Sequence, residues 1–186
     1  MKKEINVTIE DLESVGYFAS TYIVDAFNSA LILGKPLLIE GPAGSGKTWL
    51  AKALSQLMSW ELIRLQSHEG IDEDKALYEW NYRKQLLSLQ SETEKSEVID
   101  DIFSEDYLIE RPILRALRSE QTSLLLIDEV DRADEEMEAL LLEVLAEDQV
   151  TIPEIGTVLG SKNFYTVLTS NSTRELSDAL KRRCIY

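Results

Sequence analysis

Cysteine is all but missing from this sequence. Cys184 stands alone, which rules out an internal disulfide and any zinc site built on cysteine pairs. Histidine is as rare: His68 has no second histidine or cysteine with which to share a metal, and it reads as an ordinary loop or packing residue. Positive charge is scarce, with 19 Lys and Arg against 34 Asp and Glu and a formal net charge of -15. Affinity for phosphate backbones comes from Lys and Arg displacing counterions, so nucleic acid is disfavoured as a partner and protein partners are expected. Long apolar runs are missing too. Met1-Lys2-Lys3 leads into Glu4 and an alternating polar stretch without a signal-peptide core, and no later run approaches bilayer length. A cytoplasmic protein without membrane insertion is expected.

What is present, 186 residues of which 44 % are hydrophobic, suffices for one sizeable α/β core with a small appendage. Of only 8 glycines, three fall in Gly41-Pro42-Ala43-Gly44-Ser45-Gly46-Lys47-Thr48, between an apolar run, Pro36 to Glu40, and a helical one. This pattern makes a phosphate cradle. Gly41, Gly44 and Gly46 lack a Cβ, so the backbone can turn its N–H groups inward as a nest. The helix opening near Lys47 adds its positive dipole end and its unpaired N–H groups. Lys47 can reach β- and γ-phosphates, and the Thr48 hydroxyl can ligate Mg²⁺. The cradle alone implies a nucleoside triphosphate and no particular reaction.

Around it the chain reads as alternating strands and helices. Residues 1 to 16 form a lead-in, with Ile5 to Ile9 alternating in polarity. Helical spacing runs from Ser20 or Thr21 to the stop at Gly34 and Pro36. Leu37-Leu38-Ile39 is a buried strand, Leu50, Ala53, Leu54, Leu57 and Met58 give the next helix one apolar face, and Glu61 to Gln66 is a second strand. Between about 70 and 120, one helix is expected from Asp72-Glu73-Asp74 through Ala76, Leu77, Trp80 and Leu87. Ser91 to Glu97 reads as a flexible surface loop, and a second helix should carry Ile109, Ile113, Leu114 and Leu117 on one face.

Ser123 to Ile127 is a strand covered on both faces, and it ends in Asp128-Glu129, about eighty residues beyond the cradle. A carboxylate at the end of a central strand orients hydrated Mg²⁺ in such enzymes, which fits Asp128. Glu129 can then polarise a water aimed at the γ-phosphate. A helix follows from Met137 to Leu145, then two short strands around Pro153 between 149 and 161, an exposed hairpin. Phe164 to Thr169 is a fourth strand, ending in Ser170-Asn171, and Arg174 to Arg183 reads as helical.

With these pieces placed, residues 17 to 186 resemble the AAA+ ATPases and, within them, the MoxR family. The cradle resembles the family's Walker A, Leu126-Ile127-Asp128-Glu129-Val130-Asp131-Arg132-Ala133 its Walker B, and Thr169-Ser170-Asn171 its sensor 1. Arg182-Arg183 lies where the family carries an arginine finger. The stretches 69–80 and 175–184 are most similar to the CoxD-type subgroup, which is associated with maturing the active site of carbon monoxide dehydrogenase-like molybdenum enzymes. The resemblance implies a P-loop three-layer αβα fold with a mostly parallel sheet, a helical insertion and a β-hairpin insertion. It also implies ATP and Mg²⁺ as ligands, with residues 41–48 and Trp49 binding the nucleotide and Thr48 and Asp128 holding the metal.

Further implications concern partners. Asn171 would position the attacking water, and Arg183 or Arg182 would enter the neighbouring subunit's site, so catalysis would need a homo-oligomer, a hexameric ring in most of the superfamily. A protein client and a von Willebrand A domain partner are implied as well. The family continues into a fifth core strand and a helical lid with a sensor 2 arginine, and Cys184-Ile185-Tyr186 falls where that strand would begin. From the residues alone, Arg182-Arg183 can also be a basic helix end satisfying its own dipole and Asn171 a strand-end turn residue, while Arg132 can act across the subunit interface or equally be a salt-bridge partner. Two other functions stay open: a nucleotide-dependent protein-binding scaffold with little hydrolysis, and a nucleic-acid-associated AAA+ motor, which the charge disfavours.

Overall fold

The computed structural model describes residues 5–68, 73–91 and 102–186. The first helix is α1 (Ile9–Ser14), in a stretch expected as an alternating lead-in. Thr8 and Asp11 decide otherwise. Asp11 N donates to Thr8 Oγ1 at 3.2 Å and Thr8 N to Asp11 Oδ2 at 2.9 Å, a reciprocal cap that starts a helix at the end of the alternating run Ile5 to Ile9. Helix α2 (Thr21–Leu33) ends at Gly34 in the left-handed conformation, φ 62°. β1 (Leu37–Glu40), α3 (Lys47–Met58) and β2 (Glu61–Gln66) follow as the residues predict.

The next stretch departs from expectation. The single helix expected from Asp72 through Leu87 is broken into α4 (Glu73–Ala76), β3 (Tyr78–Trp80) and α5 (Tyr82–Ser91). Tyr78 and Trp80 are buried while Glu79 between them is not, a period of two. β3 pairs antiparallel with β4 (Leu108–Glu110), and Trp80 meets Phe103 edge-on with ring centroids 5.4 Å apart. Ile109 therefore lies in a strand and not on a helix face. α6 (Pro112–Leu117) begins only at Pro112, because proline presets φ for a first helical turn and forces Arg111 before it into extended backbone. The loop expected over Ser91 to Glu97, past Ser91 itself, lies outside the described residues, as do residues 69–72 of the subgroup-like stretch.

β5 (Ser123–Asp128) is buried at every position. After a short 3₁₀ turn, Val130–Arg132, come α7 (Glu135–Glu147), the hairpin strands β6 (Gln149–Ile152) and β7 (Gly156–Leu159), β8 (Phe164–Ser170) and α8 (Asp178–Lys181). The hairpin was expected as exposed; Thr151, Pro153, Glu154, Thr157 and Leu159 are so, while Val150 and Ile152 are fully buried. The helix expected over Arg174 to Arg183 shrinks to four residues, because residues 171–177 are drawn into hydrogen bonds with other segments.

The central sheet is parallel, in the order β1-β8-β5-β2. Side chains of adjacent strand residues point to opposite faces, and this divides the core in two. Leu124 and Leu126 of β5 pack with Leu12, Phe27, Leu50 and Leu54 of α1, α2 and α3. Leu125 and Ile127 pack with Ile113, Leu114, Leu141 and Leu180 of α6, α7 and α8. Each fully buried leucine contributes about 1.5–3 kcal/mol of apolar transfer. The result is the expected three-layer αβα arrangement of a P-loop fold. Beyond β1, Ile185 adds a parallel bridge: its O accepts from Leu38 N and its N donates to Pro36 O, both at 2.8 Å. Among the described residues no helix is long and apolar enough to cross a membrane.

Candidate functional site

β1 and β8 deliver the cradle and the Asn171 loop side by side: Gly41 N donates to Ser170 O at 3.2 Å. Gly44 and Gly46 have φ of 81° and 90°, where a side chain would strain the backbone, and Gly46 caps α3 from that conformation. Lys47 is 8 % exposed, and its Nζ donates to Gly41 O and Pro42 O, each at 2.7 Å, with Ser45 Oγ at 3.4 Å. The loop thus curls around an ammonium group.

β5 ends at the same place. Asp128, 3 % exposed, accepts from Thr48 Oγ1 at 3.0 and 3.1 Å, from Thr169 Oγ1 at 2.5 Å and from Arg64 Nη2 at 2.6 Å. Burial alone would raise its pKa; the hydrogen bonds of Thr169, Arg64 and Thr48, with the Arg64 charge, hold it below the ordinary 3.8. Glu129 sits in the left-handed region, φ 56°, a conformation costly for a residue with a Cβ. It is held there by its N–H, which donates to Thr169 Oγ1 at 3.0 Å, and its carboxylate pairs with Arg132 Nε at 3.1 Å. Arg132 is thereby placed in the salt bridge that was one of its two readings.

Ala43 through Trp49, Lys52, Asp128, Glu129 and Asn171 together line a cavity of about 370 Å³. Thr48 and Asp128 offer adjacent hard oxygen donors, the set that suits Mg²⁺, and the glycine turn and Lys47 suit a polyphosphate. Residues 36–184 match the AAA domain of the dynein-related subfamily. The chain belongs to this family. An uncharacterized protein of Staphylococcus epidermidis is 28 % identical over 159 residues, covering 82 % of this chain and 54 % of that one. One of Staphylococcus saprophyticus is 26 % identical over 163 residues, covering 84 % and 56 %. The chain therefore spans about half the length of the curated relatives it matches. A crystal structure of a candidate ATPase from Cytophaga hutchinsonii superposes with a TM-score of 0.63 at 19 % identity, covering 95 % of this chain and 47 % of that one. That likeness supports the fold.

Within this AAA domain the expected site residues divide. Ala43, Gly44, Ser45, Gly46, Lys47, Thr48, Trp49, Asp128, Glu129 and Asn171 meet at one cavity, while Gly41 and Pro42 turn their carbonyls to Lys47. Arg182 and Arg183 do not join them. Arg182 is exposed, and Arg183 Nη1 donates to Ala179 O at 3.0 Å, as a basic residue at a helix end does. Three residues outside the expected set matter: Arg64 on Asp128, Thr169 between Asp128 and Glu129, and Lys52 on the cavity wall. Arg64 takes one of the polar places of β2 and Lys52 lies one turn beyond Thr48 on α3; neither was marked in the sequence.

Proposed function

We propose that this AAA domain binds Mg²⁺-ATP in the cavity at the ends of β1, β5 and β8 and hydrolyses it within a ring of subunits. The observation that carries this reading is the convergence of Lys47, Thr48, Asp128, Glu129 and Asn171 on that cavity. Lys47 would exchange the loop carbonyls for phosphate oxygens. Thr48 and Asp128 would hold Mg²⁺, whose bound charge offsets the negative charge of the β- and γ-phosphates. Glu129, already fixed by Thr169 and Arg132, would accept a proton from the attacking water, and Asn171 would orient that water.

Arg182 and Arg183, which stay outside this cavity, would serve a different subunit's site, in keeping with a ring, hexameric as in most of the superfamily. The similarity to the MoxR family, and to its CoxD-type subgroup, extends the proposal to remodelling a protein client, with maturation of a molybdenum enzyme as the specific case and a von Willebrand A domain as a co-partner. The strongly acidic composition favours protein clients over nucleic acid. The test is Mg²⁺-dependent ATP turnover against protein concentration, with Glu129→Gln and Arg183→Ala alongside. Specific activity should rise with concentration and both substitutions should remove it. ATP binding without turnover at any concentration would instead favour a nucleotide-dependent scaffold.

A further inference from the structure

We propose that Asp131 is a positioning residue for Asn171, and that Arg174 and Glu138 anchor the far end of the same loop. The proposal rests on the reading of the cavity as an ATP site. Asp131 belongs to the 3₁₀ turn that Glu129 caps, but its side chain does not line the cavity. It is 2 % exposed, and both of its oxygens are committed to the segment after β8. Oδ1 accepts from Asn171 N at 3.1 Å, and Oδ2 accepts from Thr173 N at 2.9 Å and Thr173 Oγ1 at 2.5 Å. Further along the chain, in α7, Glu138 is 5 % exposed and bonds Arg174 through one oxygen and Ser177 N, at 3.3 Å, through the other. Arg174 Nη2 also donates to Ala133 O at 2.6 Å.

Two nearly buried carboxylates therefore serve one stretch, 171–177, that has no regular secondary structure. Burying a carboxylate is unfavourable unless its oxygens are filled with donors, and an apolar side chain would fill either place at lower cost. What an apolar residue cannot supply is acceptors for the backbone N–H groups of Asn171 and Thr173. Asp131 thus fixes the Asn171 backbone relative to Glu129, which caps the same 3₁₀ turn. Asn171 itself lines the cavity read as the ATP site, and Ser177, held by Glu138, is the N-cap of the helix that leads to Arg182 and Arg183.

The test compares binding of ADP with that of ATPγS, a slowly hydrolysed ATP analogue, in the presence of Mg²⁺ for the unaltered chain, Asn171→Ala, Asp131→Asn and the double variant. Asp131→Asn keeps size and one acceptor but places an amide donor opposite the Thr173 donors. The ADP affinity should stay within about twofold, while the preference for ATPγS over ADP should fall at least about fivefold in each single variant and no further in the double. Thr173→Val, which removes one donor to Asp131 and leaves the carboxylate with its bonds to Asn171 N and Thr173 N in place, should show a smaller loss and a smaller drop in unfolding midpoint than Asp131→Asn, so the comparison survives if Asp131→Asn folds poorly. Retention of the preference in Asp131→Asn or in Asn171→Ala, or an equal loss of both nucleotides in Asp131→Asn, overturns the proposal. Failure of the unaltered chain to bind either nucleotide has a different signature and overturns the proposed function first, and this proposal with it.

Discussion

Thr169 and Asp128 meet across neighbouring parallel strands, where the threonine hydroxyl donates to Asp128 Oδ1 at 2.5 Å and accepts the Glu129 N–H at 3.0 Å. One fully buried hydroxyl therefore holds both acidic positions of the site. Thr169→Val keeps the shape and removes both bonds, leaving the Glu129 N–H without its acceptor. A buried donor left unpaired costs about 1–3 kcal/mol. We expect a lower urea midpoint with an unchanged m value, and loss of any ATP turnover, whereas Thr169→Ser should retain both.

Arg64 reaches Asp128 from β2 at 2.6 Å, so a guanidinium occupies one oxygen of the carboxylate expected to serve Mg²⁺. Two cations at one carboxylate oppose each other. Arg64→Met should lower, several-fold, the Mg²⁺ concentration at which nucleotide binding is half-maximal, measured with a fluorescent ATP analogue titrated with Mg²⁺. A rise in that concentration would show that Arg64 helps to arrange the metal ligands.

The cradle, the four core strands and the acid pair were legible because each is a local pattern: glycines at fixed spacing, short apolar runs, a polar pair at a strand end. The misread elements are those decided by partners distant in sequence. Tyr78-Glu79-Trp80 has spacing compatible with a helix, and it is a strand because β4, about thirty residues on, pairs with it. Residues 174–177 have helical character and are held out of the helix by Asp131, Ala133 and Glu138. Arg64 and Asp131 were invisible as site residues for the same reason, since their importance lies in which carboxylate or backbone amide faces them. The α1 cap was legible in Thr8-Ile9-Glu10-Asp11, a threonine followed three residues later by an acid, and the alternation around it masked the sign.

Acid should loosen the Asn171 loop. Burial tends to raise the Asp131 pKa, but hydrogen bonds from Thr173 and from the backbone of Asn171 hold it below the ordinary 3.8, as the partners of Asp128 do for that residue. A folded-state pKa below the unfolded one means that the stabilisation is complete above 3.8 and is lost as pH falls through the depressed value. Urea unfolding from pH 7 downwards should show stability falling below about pH 4. In Asp131→Asn that acid-dependent fall should be smaller, because one of the two groups no longer binds a proton on unfolding.

Gly160, by contrast, should be sensitive for reasons of space and not of backbone conformation. A Cβ there would lie 2.6 Å from Asp148 O and 2.8 Å from Leu117 Cδ2, and the Asp148 oxygen is backbone that also accepts the Gly160 N–H at 2.6 Å. The Asp148 carbonyl cannot retreat without breaking that link between the β6–β7 hairpin and the end of α7, whereas the Leu117 methyl is the end of a side chain on α6, so Gly160→Ala should cost about 1–3 kcal/mol, the range for overpacking. At Gly34 nothing lies within 4 Å of the position a methyl would take and only φ of +62° opposes the change, so Gly34→Ala should cost about 1 kcal/mol through the backbone alone. Thermal unfolding of the two variants should separate these origins: the Gly160→Ala penalty should shrink when Leu117→Ala opens room beside it, and the Gly34→Ala penalty should not respond. Nucleotide affinity should be unchanged in Gly160→Ala, because neither Gly160 nor its two contacts line the cavity that holds Lys47, Asp128 and Asn171.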